Sequence, residues 1–192
     1  MKLIGIGGTD GSGKDSLGKI LEDEFGWKFI SVTDPLRDEL KRRGLDITRA
    51  NQRMVSAQWR REHGLAVLVD KAIEVFKPQK DKYSGLVMAS LRNPGEADRI
   101  HELGGTMVWV DADPRVRYER ISKRNRGGAE DKVTYKEFLA EEKAQSTHSG
   151  DKATLNLSGV KAKADIFIEN SGNDIAAFGA QVKKALSNLL EQ

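Results

Sequence analysis

Apolar residues along the chain keep two rhythms. Lys2–Ile6, Trp27–Ile30, Leu86–Ser90, Thr106–Val110 and Asp165–Ile168 are short, largely apolar runs with the length of buried strands. Between them the spacing becomes helical. Leu17, Ile20, Leu21 and Phe25 recur every three or four residues, and so do Ile175, Phe178, Val182, Leu186 and Leu189 near the end. Asp34-Pro35 reads as a helix start, with a capping carboxylate and then proline at the first helical position. Thr48–His63 reads as a polar, basic helix that Gly64 ends or interrupts, and Leu65–Phe76 as a more apolar one. Further helices are expected over Gly95–Leu103, from Pro114, and over Thr134–Ala144, whereas His148–Lys163 reads as irregular.

Strands alternating with helices predict an α/β fold: about five parallel strands with helices on both faces. No repeat, low-complexity tract or linker divides residues 1–192, so a single domain is expected. Right-handed crossovers bring the C-terminal ends of the strands to one edge, where ligands bind. The loops after the strands are therefore where chemistry is expected.

The bulk composition narrows the classes. With 192 residues the chain can bury a core, and 32% charged against 38% hydrophobic residues is ordinary for a globular protein. A formal charge of +3 is too slight to argue for nucleic acid. The absence of cysteine excludes disulfides and thiolate chemistry. No apolar run approaches a membrane span and no cleavage pattern follows the N-terminus, so a cytoplasmic protein with no membrane or nucleic-acid partner is expected. His63, His101 and His148 have no metal-ligand spacing.

The strongest signal lies between the first strand and the first helix. Gly8-Thr9-Asp10-Gly11-Ser12-Gly13-Lys14 fits G-x-x-x-x-G-K, in the context that such a phosphate loop requires. Its glycines let backbone N–H groups turn toward phosphate oxygens, the helix N-terminus adds positive potential, and Lys14 reaches the outer phosphates. Gly8, Asp10, Gly11, Ser12, Gly13, Lys14, Asp15 and Ser16 are the expected nucleotide contacts. The lysine is followed by Asp15 where Ser or Thr is usual, and Ser16 comes next. Ser16 is placed for the α-phosphate. Asp15 either holds the water shell of Mg²⁺ or serves as an acidic first-turn residue. Asp15 and Ser16 are thus the metal candidates. A GTPase would need N-K-x-D, which is absent, and Leu157-Ser158-Gly159 matches a transporter signature only superficially in so short a chain.

Three segments carry a resemblance. Gly13-Lys14-Asp15-Ser16, Ser31-Val32-Thr33-Asp34-Pro35-Leu36-Arg37 and Ser90-Leu91-Arg92-Asn93-Pro94-Gly95-Glu96-Ala97 with Leu103-Gly104-Gly105 are similar to segments of phage-type deoxynucleoside monophosphate kinases. Arg92-Asn93-Pro94 and Trp59-Arg60-Arg61-Glu62-His63-Gly64 also resemble dephospho-CoA-kinase-like and adenylate-kinase-like proteins. The resemblance implies a P-loop NTPase fold with acceptor-binding helices over about 34–76 and a small helical lid over about 115–146. It implies ATP with Mg²⁺, a small phosphorylated acceptor, and a monomer or homodimer. Two positions depart from the kinases' pattern: Ser90 stands where they carry Asp, and Asn93-Pro94-Gly95 replaces Phe-Pro-Asn.

Arginine is the expected tool of phosphoryl transfer, because its planar fork pairs with phosphate oxygens. Arg92, after the third strand, is the acceptor-phosphate candidate; the alternative is a loop cap or a pair with Glu96. Asp34 and Arg37 follow the second strand. Asp34 either orients the acceptor, or acts as a base, or caps a helix. Arg60 is a weaker acceptor candidate, since Arg53, Arg60 and Arg61 also suit a solvated face. Arg117, Arg120 and Arg124 share a helix face, either as lid arginines, for which the resemblance favours Arg120 and Arg124, or as a solvated basic face. Asp111 and Asp113 suit a second acidic layer or a cap before Pro114. Asn170, after the fifth strand, is expected beside adenine or in a turn. Lys14, Arg92, Arg120, Arg124 and Asp34 form the expected catalytic set for a nucleoside or deoxynucleoside monophosphate kinase. The alternatives are transfer to a hydroxyl, as in dephospho-CoA kinases, or a nucleotide-binding module without transfer.

Overall fold

The computed structural model describes residues 2–123, 133–146 and 150–190. Five strands form one parallel sheet: β1 (Leu3–Gly8), β2 (Lys28–Ser31), β3 (Leu86–Leu91), β4 (Thr106–Asp111) and β5 (Ile166–Glu169), in the order β2-β3-β1-β4-β5. β1 and β3 are buried along their whole length, which accounts for their continuous apolar runs.

Helices cover both faces. α1 (Lys14–Phe25) and the C-terminal helix, residues Ile175–Leu190, pack on one side, where Leu17, Leu21, Phe178, Val182 and Leu186 meet Ile4, Ile6, Val87 and Ala89. The other side holds α2 (Asp34–Arg42), α3 (Arg49–His63), α4 (Val67–Phe76), a 3₁₀ turn over Lys77–Lys82, and α5 (Pro94–Glu102). α6 (Pro114–Lys123), α7 (Tyr135–Ser146) and α8 (Leu157–Lys161) follow before β5, and the C-terminal helix is α9. Tyr118 of α6 packs edge-on against Tyr135 and tilts against Phe138, so α6 and α7 share a small aromatic core.

Two expectations fail locally. Part of the irregular stretch His148–Lys163 is α8, which starts where the Asn156 side chain accepts the Gly159 N–H at 2.9 Å. It packs so tightly on α5 that a Cβ at Gly159 would lie 2.6 Å from Pro94 Cγ. Asp34 does not cap α2: Thr33 holds that position, and the Asp34 carboxylate accepts from Arg37 Nη1 one turn along. Asp113 does act locally, accepting from the N–H groups of Arg115 and Val116 before α6.

Candidate functional site

The phosphate loop joins β1 to α1 at the sheet's ligand-binding edge. Gly8 ends the strand, Lys14 opens the helix, and Gly13 sits at the helix start with φ +98°. A Cβ at Gly13 would lie 2.3 Å from Asn170 Nδ2, and one at Gly11 (φ +80°) would lie 2.7 Å from the Arg117 carbonyl oxygen. The loop therefore needs glycine for conformation and for space. Its outer side is braced by groups from distant segments. Asn170 Nδ2 donates to the Ser12 carbonyl at 2.8 Å, and Thr9 Oγ1 donates to Asp111 Oδ1 at 2.7 Å. Arg120 donates to the carbonyls of Gly11, Asn170 and Gly172. Burial opposes the charge on Asp111, but hydrogen bonds from Thr9, Ala112 N–H and Trp109 and the nearby Arg117 guanidinium hold its carboxyl below the usual range.

Several sequence expectations change here. The Asn170 amide braces the loop. Arg117 and Arg120 are not a solvated face. Arg117 is buried, donates to the Ala112 carbonyl and pairs with Glu142 of α7, while Arg120 fastens the phosphate loop to the segment after β5. Arg124 lies outside the described residues. Asp15 is exposed and Ser16 half-buried on the first turn of α1. Asp34 lies on the rim of a neighbouring depression with Asp15, Ser16, Arg37 and Ser90.

In front of the loop opens a cavity of about 630 Å³. Lys14, Arg37, Arg49, Arg53, Arg60 and Arg92 line it, against the acidic Asp10 and Asp15. Arg49, Gln52, Arg53, Ser56 and Arg60 belong to one α3 stripe at i, i+3, i+4, i+7 and i+11, and all five face the cavity. Of these the sequence put forward Arg60 alone; helical spacing places Arg49, Gln52 and Arg53 on its face but does not by itself distinguish a cavity lining from a solvated basic face.

Arg60 is not solvated. It is buried, donates from Nη2 to Glu96 Oε1 at 2.7 Å, and sends Nη1 to the Ala153 carbonyl at 3.1 Å. Glu96 is also buried and completes the capping box of α5, accepting from the N–H groups of Arg92 (2.7 Å) and Asn93 (3.1 Å). Glu96 therefore takes the main chain of Arg92 and leaves its side chain for the cavity. The alternative of an Arg92–Glu96 side-chain pair is not what forms: Nη2 donates to Asp10 Oδ1 at 2.7 Å and Nη1 to Gln145 of α7 at 2.9 Å. Arg92 Nε is buried with no hydrogen-bond partner among the described residues.

Asp10 is the hub. Arg92, Lys14 at 3.8 Å and Arg49 at 3.8 Å converge on its carboxylate. Burial disfavours its charge, but these three cations outweigh burial and hold it well below the usual carboxylate range. Ser90, beside them at the end of β3, has φ +72°. Such a conformation in a residue other than glycine costs about 1–3 kcal/mol and is typical of ligand-binding positions. The donors around the loop, Asp15, Ser16 and Ser90, are all oxygen. That suits Mg²⁺, which keeps waters and phosphate oxygens instead of demanding a protein cage. Among the described residues, no group of three acidic, histidine or cysteine side chains is gathered as a self-sufficient metal site.

Residues 4–145 match the family described as AAA domain. A UPF0200 protein of Hyperthermus butylicus is 32% identical over 191 residues, spanning 99% of this chain and 96% of that protein. The chain belongs to the UPF0200 family, within the AAA-domain group. A UPF0200 protein of Thermococcus kodakarensis is 27% identical over 194 residues, covering 99% of each chain. Solved structures extend the likeness to this UPF0200 fold. A gluconokinase from Sinorhizobium meliloti superposes with TM-score 0.57 at 17% identity, covering 99% of this chain and 94% of that one. A shikimate kinase from Bacteroides thetaiotaomicron gives 0.59 at 14% identity, covering 99% and 98%. At such identities the likeness establishes the fold, that of P-loop small-molecule kinases. No helix among the described residues of this UPF0200 chain is long and apolar enough to cross a membrane.

Proposed function

We propose that this UPF0200 protein is an ATP-dependent phosphotransferase whose acceptor is a small phosphorylated molecule, most simply a nucleoside or deoxynucleoside monophosphate. The observation that carries the reading is the cationic cavity that ends on the phosphate loop. Phosphoryl transfer needs positioned charge more than covalent chemistry, and a transferring group needs cations on several sides.

The loop N–H groups and Lys14 would hold the β- and γ-phosphates of ATP. Asp15 and Ser16 would hold Mg²⁺ through its waters, and the ion would supply charge neutralisation. Arg92 and Arg37 would orient the acceptor phosphate. Arg92 is suited to this because Glu96 fixes its backbone while its buried Nε has no acceptor among the described residues. Arg120 would act on the loop's shape instead of touching the transferring group, because its guanidinium already holds main-chain carbonyls. Transfer to a hydroxyl, as the neighbours' names suggest, would need a base. Asp34, its candidate, is paired with Arg37.

A coupled ADP-release assay with Mg·ATP tests the reading against every ribo- and deoxynucleoside monophosphate, dephospho-CoA, gluconate, shikimate and a no-acceptor control. Strong stimulation by one monophosphate class supports it. Stimulation confined to an unphosphorylated hydroxyl acceptor, or indifference to all of them, overturns it.

A further inference from the structure

Two cations of the α3 stripe, Arg49 and Arg53, have one partner in common. Glu141, on α7, receives Arg49 Nη1 on Oε2 at 3.2 Å and Arg53 Nη2 on Oε1 at 2.5 Å. Both carboxylate oxygens are thus engaged, one guanidinium each, across 88 and 92 residues of chain. Both arginines line the cavity, and Arg49 also lies 3.8 Å from Asp10, on which Arg92 converges. The neighbouring contact repeats the pattern: Gln145, one turn further along α7, presents its carbonyl oxygen to Arg92 at 2.9 Å. Four residues apart, Glu141 and Gln145 lie on one face of α7 and offer oxygen acceptors to the cavity's arginines. A carboxylate bridging two guanidiniums has the charge and the planar oxygen arrangement that a phosphate or carboxylate ligand offers.

We propose that Arg49 and Arg53 form an anion subsite for the acceptor and that Glu141 is its internal occupant, which an anionic acceptor displaces. The proposal gives the site discrimination by charge. A neutral acceptor would have to leave the Glu141 pairs intact, whereas an anionic one exchanges one set of charge-assisted bonds for another. It also ties acceptor binding to α7, because exchange at Glu141 removes one of the contacts that hold this helix against α3. The internal carboxylate lowers apparent affinity by the fraction of time it occupies the subsite. The three side chains are 32–41% exposed, so that competition is modest.

The role assigned to the subsite rests on the phosphotransferase reading, but its test does not use turnover. Inorganic phosphate is titrated by calorimetry into proteins that all carry Lys14→Ala, so that the phosphate loop contributes little. Adding Glu141→Gln is expected to tighten phosphate binding about three- to tenfold. Adding Arg49→Gln and Arg53→Gln to that protein is expected to abolish the gain. Amide exchange across residues 135–146 provides a second readout. Phosphate should speed it in the Glu141-containing protein and leave the already faster Glu141→Gln protein unchanged. Equal or weaker phosphate binding after Glu141→Gln, a gain that survives loss of both arginines, or exchange indifferent to phosphate would each overturn the proposal. The absence of ADP release in the acceptor panel would instead count against the kinase reading alone.

Discussion

Arg92 Nη2 donates to Asp10 Oδ1 at 2.7 Å, joining the end of the third strand to the middle of the phosphate loop. This bond places an anion of the protein's own among the cations that would face phosphate. Lys14 and Arg49 complete the ring around it. Replacing Asp10 by Asn should therefore act in opposite directions on two observables. The ligand-free fold should lose about 1–3 kcal/mol, because three cations are left with one carboxylate fewer. Stabilisation by ADP or inorganic phosphate should increase, because the same cations are released for the ligand. Thermal melts with and without ligand measure both effects, and a variant that loses ligand stabilisation would contradict this account.

The same carboxylate sets an acid limit. Asp10 and Asp111 both ionise more readily in the fold than in the unfolded chain. Between their folded and unfolded pKa values the unfolded chain binds more protons, so stability rises with pH there. Their contribution is complete above about pH 5 and is lost as pH falls below the ordinary carboxylate value near 4. Thermal midpoints should be insensitive to these two groups from about pH 5 to 8 and fall steeply below about pH 4. Asp10→Asn should make that fall shallower.

Arg60 and Glu96 are both buried and paired with each other. Breaking such a pair from one side leaves an uncompensated charge, at a cost of about 3–5 kcal/mol. Glu96→Ala should lose at least that much in denaturant unfolding, since it also removes the acceptor for two N–H groups at the start of α5. Where the variant folds, turnover should fall further than stability alone predicts, because Arg92 loses its backbone anchor.

Gly13→Ala and Lys14→Ala separate shape from charge in the phosphate loop. The alanine Cβ at position 13 meets the Asn170 amide and a left-handed backbone, so that variant should lose both stability and nucleotide binding. Lys14→Ala should stay folded and lose turnover by about 10²–10³-fold, the scale for removing one aligned electrostatic group. Calorimetric ADP titration and the coupled assay distinguish the two.

Much of the fold was legible because its elements follow simple periods. The buried strands are apolar throughout, and the helices around them repeat every three to four residues. α8 escaped because five residues are too few to show a period, and its start depends on one Asn156 side chain. The phosphate loop was legible because glycine and lysine spacing encodes it directly. The second layer was not. Composition could not reveal that Glu96 would take the main chain of Arg92 instead of its guanidinium, or that Asn170 would turn toward Ser12. The Asn170 outcome depends on which distant segments meet, whereas the Glu96 contact is local and was signalled by the capping-box spacing of Asn93 and Glu96. Arg49 was hidden differently: its stripe resembles any solvated basic helix until the cavity beside it is known.

The left-handed Ser90 also changes the counting of side chains along its strand. Up to Ala89, β3 alternates regularly, with Leu86 and Met88 toward α4 and α5 and Val87 and Ala89 toward α1 and α9. β1 then skips a step: Ile6 faces Ala89, but Gly7 faces Leu91. Ser90 is the extra residue, and after it Leu91 rejoins the Met88 face one position late. The bulge works as a half-turn coupling in the strand, inverting the facing of everything downstream. Arg92 thereby leaves the sheet in the opposite phase from the one an uninterrupted strand would give it. An arginine aligned by strand geometry alone would point elsewhere, so the strained serine is the joint that aims it.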